Sequence, residues 1–253
     1  MKNFPLNFFE DVSLSVVVPI FNEGPQIKVN LSLLLTELRK YFKNFNVIAI
    51  SDGSNEETNQ ALRSIQDNNI EVIFNDRNEG KGAVLKKGFS KTNNDFVIFI
   101  DGGMEIHPKE IRIFLGLMFL YNADIVIGSK RHPQSKVFYP WYRKILSFIF
   151  QKIVHLMFKI DVTDTQVGLK MFRGNLIQKI YPLMKSNSYG VDLEILGLAK
   201  KFGYEQILEA PVRLDYFLKN KRSFVKEFLH TFRVGILLVV DSFKIWLSLR
   251  NHK

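Results

Sequence analysis

Side chains able to do chemistry cluster where short apolar runs end. The first run closes in PIFNE, so Asn22 and Glu23 stand just past a strand end, where Pro19 frees the chain from further pairing. An acid and an amide there can read a nucleobase or a ribose. The second run closes in SDGS: Asp52 can accept from a ring N–H or a ribose hydroxyl, Gly53 permits a tight turn, and Ser54 is placed to cap a following helix. In NDRNEGKGAVLKKG, Gly80 and Lys81 precede a helix-forming stretch, an arrangement that suits a diphosphate. Its spacing is neither the Walker A nor the GxGxxG pattern. Taken singly, each segment also reads as ordinary turn chemistry.

Cations follow a later run. Lys130 and Arg131 come directly after IVIGS, and Arg143 and Ser147, four apart on an amphipathic stretch, can share one helix face. Such groups suit an anionic ligand, whereas a hydroxyl that reacts must lose a proton and needs a positioned base.

The elements that must hold these residues alternate. Strands are expected at 14–19, 46–51, 71–75, 95–100 and 124–129, with helices at 26–42, 56–68, 81–91 and 109–122, each helix carrying apolar residues three and four apart. Val- and Ile-rich strands without polar alternation are buried on both faces, so the fold class is α/β with a mostly parallel sheet flanked by helices. In such sheets ligands gather at the carboxyl ends of the strands, where the segments above lie. Beyond residue 133 the pattern changes to a long amphipathic helix at 138–159, loop and strand at 161–173, a helix at 191–202 and a helical tail at 224–249. The expected division is a catalytic domain over 1–223, with an amphipathic interface helix at 138–160 inside it, and a C-terminal amphipathic membrane-associated helix at 224–253.

Composition bounds the partners. The 253 residues fit one large domain with an appendage, and a net charge of +10 favours an anionic partner such as a nucleic acid, anionic lipid or phosphorylated substrate. The absence of cysteine excludes disulfides and thiolate metal sites. Basic residues interleaved with Phe, Ile and Leu at helical spacing suit an interfacial helix better than a nucleic-acid groove, so a membrane surface is the expected partner and no nucleic acid is expected. The apolar run at 234–240 is too short to cross about 30 Å of hydrocarbon, and the N-terminus lacks a signal-peptide pattern. A peripheral place on the cytoplasmic face of a membrane follows as the expectation.

Order and spacing together are more specific than any one segment. VPIFNE, SDGS, NEGKG, IDGGMEIHP, IGSK, DTQVGLKMFR and YGVDLEIL, in that order over residues 14–217, resemble family 2 glycosyltransferases of the GT-A fold. The likeness is to the branch of dolichyl-phosphate mannose or glucose synthases and undecaprenyl-phosphate transferases. The resemblance implies a nucleotide-sugar donor, a polyprenyl-phosphate acceptor and a divalent metal, Mg²⁺ or Mn²⁺. It implies that Glu23 and Asp52 hold the nucleoside, with Pro19, Asn22, Ser54, Gly102 and Gly103 around the donor, and that Lys81 and Gly80 lie beside the phosphates. The family's metal-holding acid pair is altered here: Asp101 keeps the first carboxylate and Gly103 replaces the second, leaving Glu105 to share the cation and His107 as a third ligand or a capping residue.

The same resemblance makes Asp164, Thr165 and Gln166 the acceptor-side wall and puts Lys130, Arg143 and Ser147 near the acceptor phosphate, Lys130 standing where Arg is usual. Asp192 and Glu194 match an acidic pair at a helix start; two residues apart, only one can face the cleft, and Asp192 is the expected one. Its rival reading is charge complementing the helix dipole. Two other readings stay open: transfer to a saccharide hydroxyl with Asp192 as base, and a sugar-nucleotide binder without activity.

Overall fold

The computed structural model describes residues 12–138, 141–215 and 224–251. Four adjacent strands run parallel, from one edge of the sheet to its middle: β1 (Ser13–Ile20), β2 (Asn44–Asp52), β3 (Ile70–Asn75) and β4 (Phe96–Ile100). β5 (Ile125–Ser129), β7 (Leu169–Arg173) and β8 (Ile207–Pro211) complete a sheet of order β3-β2-β1-β4-β7-β5-β8. The inner strands are buried on both faces, as their continuous apolar runs require, while the edge strands β3 and β8 are only partly covered. Val16 and Val18 join one core with α1 (Gln26–Arg39) and α4 (Ile111–Leu120); Val17 joins the other with α3 (Lys81–Phe89), α6 (Gly174–Ile180) and α7 (Val191–Lys201).

β7 is antiparallel to both neighbours, with Leu169 opposite Ile100. That reversal brings the start of β7, and the 164–168 loop before it, to the edge where β1, β2 and β4 deliver their carboxyl ends. A parallel strand would have sent the loop to the opposite edge.

The expected elements are present with shifted ends. α2 (Glu56–Arg63) stops before residue 68 because Asp67 accepts from the Asn69 backbone N–H at 2.9 Å, a local turn that competes with helix. Its cap is Asn55, which accepts from Thr58 N at 3.1 Å, and not Ser54. Pro108 opens a short 3₁₀ turn (Pro108–Glu110) ahead of α4, where His107 caps Lys109 N through Nδ1 at 3.1 Å. In this structure His107 acts as the cap, through its Nδ1.

Three strands and a helix were not foreseen: β8, α6, and the small pair β6 (Lys136–Phe138) with β9 (Arg213–Asp215). Two long helices close the architecture. α5 (Trp141–Phe158) and α8 (Phe224–Asn251) pack on each other, and α8 also packs on α7, with Ser242 and Ile245 buried. Among the described residues no helix is long and apolar enough to cross a membrane.

Candidate active site

The carboxyl edge of the sheet carries a cleft of about 770 Å³. One wall is built by the first two strand ends, which hold each other. Asn22, at φ +54°, accepts through Oδ1 from Asn55 N at 2.8 Å, and its own N–H donates to Ser54 Oγ at 3.2 Å. Asn22 and Ser54 therefore lock the two turns together, and neither lines the cleft. Pro19, Glu23 and Asp52 do line it.

Asp52 is buried and accepts from Asn75 Nδ2 at 3.0 Å, Glu79 N at 2.8 Å and Gly80 N at 2.9 Å. Its carboxylate shapes the turn that leads into α3. Gly80 sits at φ +93°, and a Cβ there would lie 2.1 Å from Asn187 O, so no other residue fits. The 185–188 loop that presses on this turn is held in its place by Glu194, which accepts from Lys185 N at 2.8 Å and Ser186 N at 2.9 Å. Beyond it, Ser188 donates to Asp241 of α8 at 2.6 Å.

The cleft floor is a chain of alternating charges. Lys81 Nζ lies 3.1 Å from Asp101 Oδ1 and 3.6 Å from Asp192 Oδ2, and Asp192 Oδ1 accepts from Lys170 at 2.5 Å. Lys170, the second residue of β7, is fully buried and also donates to Val167 O at 2.7 Å. The Phe99 ring underlies both ammoniums, 4.9 Å from Lys81 and 4.8 Å from Lys170. Burial pushes the Lys170 ammonium below the ordinary lysine value, against the pull of Asp192. Burial also opposes charge on Lys81, but Asp101 and then Asp192 outweigh it and hold Lys81 above that value.

Asp192 was expected to point into the cleft. Its carboxylate faces the floor but is buried, covered by Lys81, and does not line the cleft. Glu194 turns the other way, so the two acids do divide between two faces.

Asp101, half exposed, is fixed by its surroundings: its N–H donates to Gly168 O at 2.9 Å, and a Cβ on Gly168 would lie 1.9 Å from Asp101 Oδ2. Gly102, Gly103 and Glu105 lie along the same wall. Among the described residues no group of three or more His, Cys, Asp or Glu is placed to hold a metal. Asp101 and Glu105 are hard oxygen donors on one cleft, and Asp101 already keeps a cation, the Lys81 ammonium, at its Oδ1. That donor set suits Mg²⁺ or Mn²⁺ when substrate oxygens supply the remaining ligands.

On the opposite side Lys130, Ser147 and Gln166 line the cleft. Lys130 Nζ is 3.5 Å from Asp164 Oδ2, which also accepts from Lys130 N at 3.1 Å. Gln166 Nε2 is buried without a hydrogen-bond partner. Arg131 lies off the cleft and donates from Nη2 to Ser147 Oγ at 3.1 Å. The side chain of Arg143 lies outside the described residues. Leu146, Phe150, Val234, Gly235 and Leu238 of α5 and α8 make the far wall apolar.

Several of these parts escaped sequence reasoning. Glu209, which accepts from Thr163 N at 2.9 Å and Asp164 N at 3.1 Å, and Gln151, which donates to Val162 O at 2.7 Å, fix the 162–165 loop with no local signal. Lys170 did leave one: a lysine inside the apolar run LKMF of a buried strand demands a counter-charge.

Comparison with known proteins agrees with this geometry. A dolichyl-phosphate beta-glucosyltransferase of Dictyostelium discoideum is 26% identical over 77% of this chain and 64% of its own length. An undecaprenyl-phosphate 4-deoxy-4-formamido-L-arabinose transferase of Aeromonas hydrophila is 28% identical over 66% of this chain and 51% of its own. This chain thus spans between half and two thirds of those relatives. Glucosyl-3-phosphoglycerate synthase from Mycobacterium tuberculosis, crystallised with UDP, superposes with a TM-score of 0.69 at 15% identity, covering 96% of this chain and 86% of that one, and shares the GT-A fold. The glycosyl transferase family 2 model matches residues 15–181, which take in the Glu23, Asp52 and Gly80 turns, Asp101 and the Lys170 strand, and the chain belongs to that family as a glycosyltransferase.

Proposed function

We propose that this glycosyltransferase moves a hexose from a UDP- or GDP-linked sugar to a polyprenyl phosphate while lying peripherally on an anionic membrane surface. The observation that carries the reading is the acceptor wall: Lys130, Ser147 and the unpaired amide of Gln166 meet the apolar residues of α5 and α8 within one cleft. An amphiphile with an anionic head and a hydrocarbon tail matches that junction; a free saccharide does not. The relatives named for dolichyl- and undecaprenyl-phosphate support the same acceptor class.

An acceptor phosphate is anionic near neutral pH and needs no base, consistent with Asp192 being buried. Lys130 and Gln166 orient the phosphate so that one oxygen attacks the anomeric carbon opposite the nucleoside diphosphate. The new C–O bond forms as the bond to the diphosphate breaks, the electron pair leaves with the diphosphate, and configuration inverts. Asp52 and the Gly80 turn hold the nucleotide end, with Glu23 at the nucleoside. A divalent ion held by Asp101 and Glu105 would neutralise charge on the departing diphosphate.

Lys130→Ala is expected to lower kcat/KM for a short water-soluble polyprenyl phosphate about 10- to 100-fold, the loss of one charge-assisted hydrogen bond, and Arg143→Ala is expected to act in the same direction. Near wild-type rates in both variants, or efficient transfer to a plain saccharide, would overturn the acceptor assignment.

The outer faces support membrane contact. Phe232, Ile236, Val240, Phe243 and Leu247 form an exposed apolar row on α8, beside exposed Ile145, Phe148, Ile149 and Leu156 on α5, and Arg233 and Lys244 flank the first row. Each cation near an anionic surface contributes roughly 1 kcal/mol. Removing α8 would also dismantle the cleft wall, so point changes make the cleaner test. Ile236→Ser with Phe243→Ser is expected to cut co-sedimentation with anionic vesicles severalfold while turnover of a water-soluble acceptor persists; unchanged sedimentation would count against the face.

A further inference from the structure

Two features of the cleft floor remain unexplained by donor or acceptor binding. One is Asp192 Oδ2, a carboxylate oxygen on a side chain 1% exposed that has no hydrogen-bond partner. The other is Lys81, whose ammonium sits between two carboxylates, 3.1 Å from Asp101 and 3.6 Å from Asp192. The lone oxygen and the shared ammonium face each other.

We propose that Lys81 is the resident counter-cation of Asp101 and moves onto Asp192 when a divalent cation takes Asp101, making Asp192, backed by Lys170, the residue that sets how readily the cleft accepts metal. The inference rests on the metal assignment to Asp101 given above. Asp101 cannot be the part that moves, because Gly168 lies against its Oδ2 and its backbone is tied to Gly168 O. Lys81 can: a shift of a few tenths of an ångström brings it within hydrogen-bond length of the unpaired Asp192 oxygen. The Phe99 face lies under it at 4.9 Å and stays in contact through such a shift.

Charge balance gives the reason for the arrangement. Lys81 and Lys170 match Asp101 and Asp192, so the floor is neutral before metal arrives. A divalent ion at Asp101 would otherwise meet an ammonium in direct competition for one carboxylate. With Asp192 as a second seat, the ammonium is retained close by and remains available to a diphosphate. Asp192 is therefore a positioning residue that acts through Lys81 and does not itself touch substrate.

The test is Mn²⁺ binding to the full-length protein without donor or acceptor, read from the electron paramagnetic resonance signal of free aquo Mn²⁺. Lys81→Met should bind Mn²⁺ about tenfold more tightly than the wild type, and Asp192→Asn about tenfold more weakly, a coupling of ordinary size. In the double variant the Asp192→Asn loss should disappear, because no ammonium remains to be reseated. If Asp192→Asn weakens Mn²⁺ equally with and without Lys81, Asp192 acts by simple through-space charge and the proposal fails. Weaker or unchanged binding in Lys81→Met, or no Mn²⁺ binding in either protein, also overturns it. Should Asp192→Asn not fold, the Lys81→Met comparison still overturns the proposal if Mn²⁺ binding does not tighten. Neither sugar nor lipid enters the measurement, so a wrong acceptor assignment leaves its outcome intact.

Discussion

Asp101→Ala is expected to reduce donor turnover by about 10²- to 10³-fold, the usual cost of removing one group that stabilises charge developing in a transition state. The protein should stay folded. Asp101 is half exposed, its main tie to the core is a backbone hydrogen bond to Gly168 O, and Lys81 retains Asp192 when the carboxylate is removed. Loss of a partly exposed ion pair costs at most about 1 kcal/mol. Nucleotide release measured beside a thermal melt separates the two effects. Gly168→Ala provides an independent arm, since it leaves the Asp101 carboxylate chemically intact but puts a methyl group 1.9 Å from its Oδ2. A comparable loss in Gly168→Ala would show that position as well as charge matters. Turnover close to wild type in Asp101→Ala would remove Asp101 from the reaction altogether.

The strand-end wall of this cleft was legible in the sequence because its residues follow strands, and strand ends are marked by abrupt changes from Val and Ile to Pro, Asp and Gly. Glu23, Asp52, Gly80, Lys81 and Asp101 all line the cleft as their positions required. What the pattern could not give was the division between contact and support. Asn22 and Ser54 carry the same polar chemistry as their neighbours, yet they bond to each other's turns and leave the cleft to others. That choice depends on the distance between β1 and β2, which no local signal encodes.

Non-local parts were hidden for the same reason. Asp192 lies 22 positions from Lys170, and only the antiparallel placing of β7 brings the two into one buried pair. Helical periodicity identified α8 but not its dual use: one side lines the cleft with Val234 and Leu238, another exposes Phe243 and Leu247, and Asp241 reaches Ser188 beside the Gly80 turn. A periodic apolar pattern says that a helix has a face to cover. It does not say how many surfaces the helix meets.

The buried pair leads to the largest expected effect on stability. Lys170→Met should destabilise the protein by about 3–5 kcal/mol, because it leaves the Asp192 carboxylate in the interior with only Lys81, at 3.6 Å, to balance it. The loss of the ammonium also strips the Val167 carbonyl of its donor and the Phe99 face of one of its two cations. Lys170→Met combined with Asp192→Leu removes both charges at once, and a matched apolar pair in a dry site is commonly neutral or stabilising. The double variant should therefore recover most of the stability lost in the single one, as read from urea midpoints at constant slope. It should not recover metal affinity, since Lys81 then has no second carboxylate. Additive losses in the double variant would mean that Lys170 and Asp192 contribute through packing and not through their charges. A single variant within about 0.5 kcal/mol of wild type would mean that Lys81 alone balances the Asp192 carboxylate. Recovered stability with lowered metal affinity would separate the fold's requirement, which is only that the two charges cancel, from the site's requirement, which is that a carboxylate stand behind Lys81.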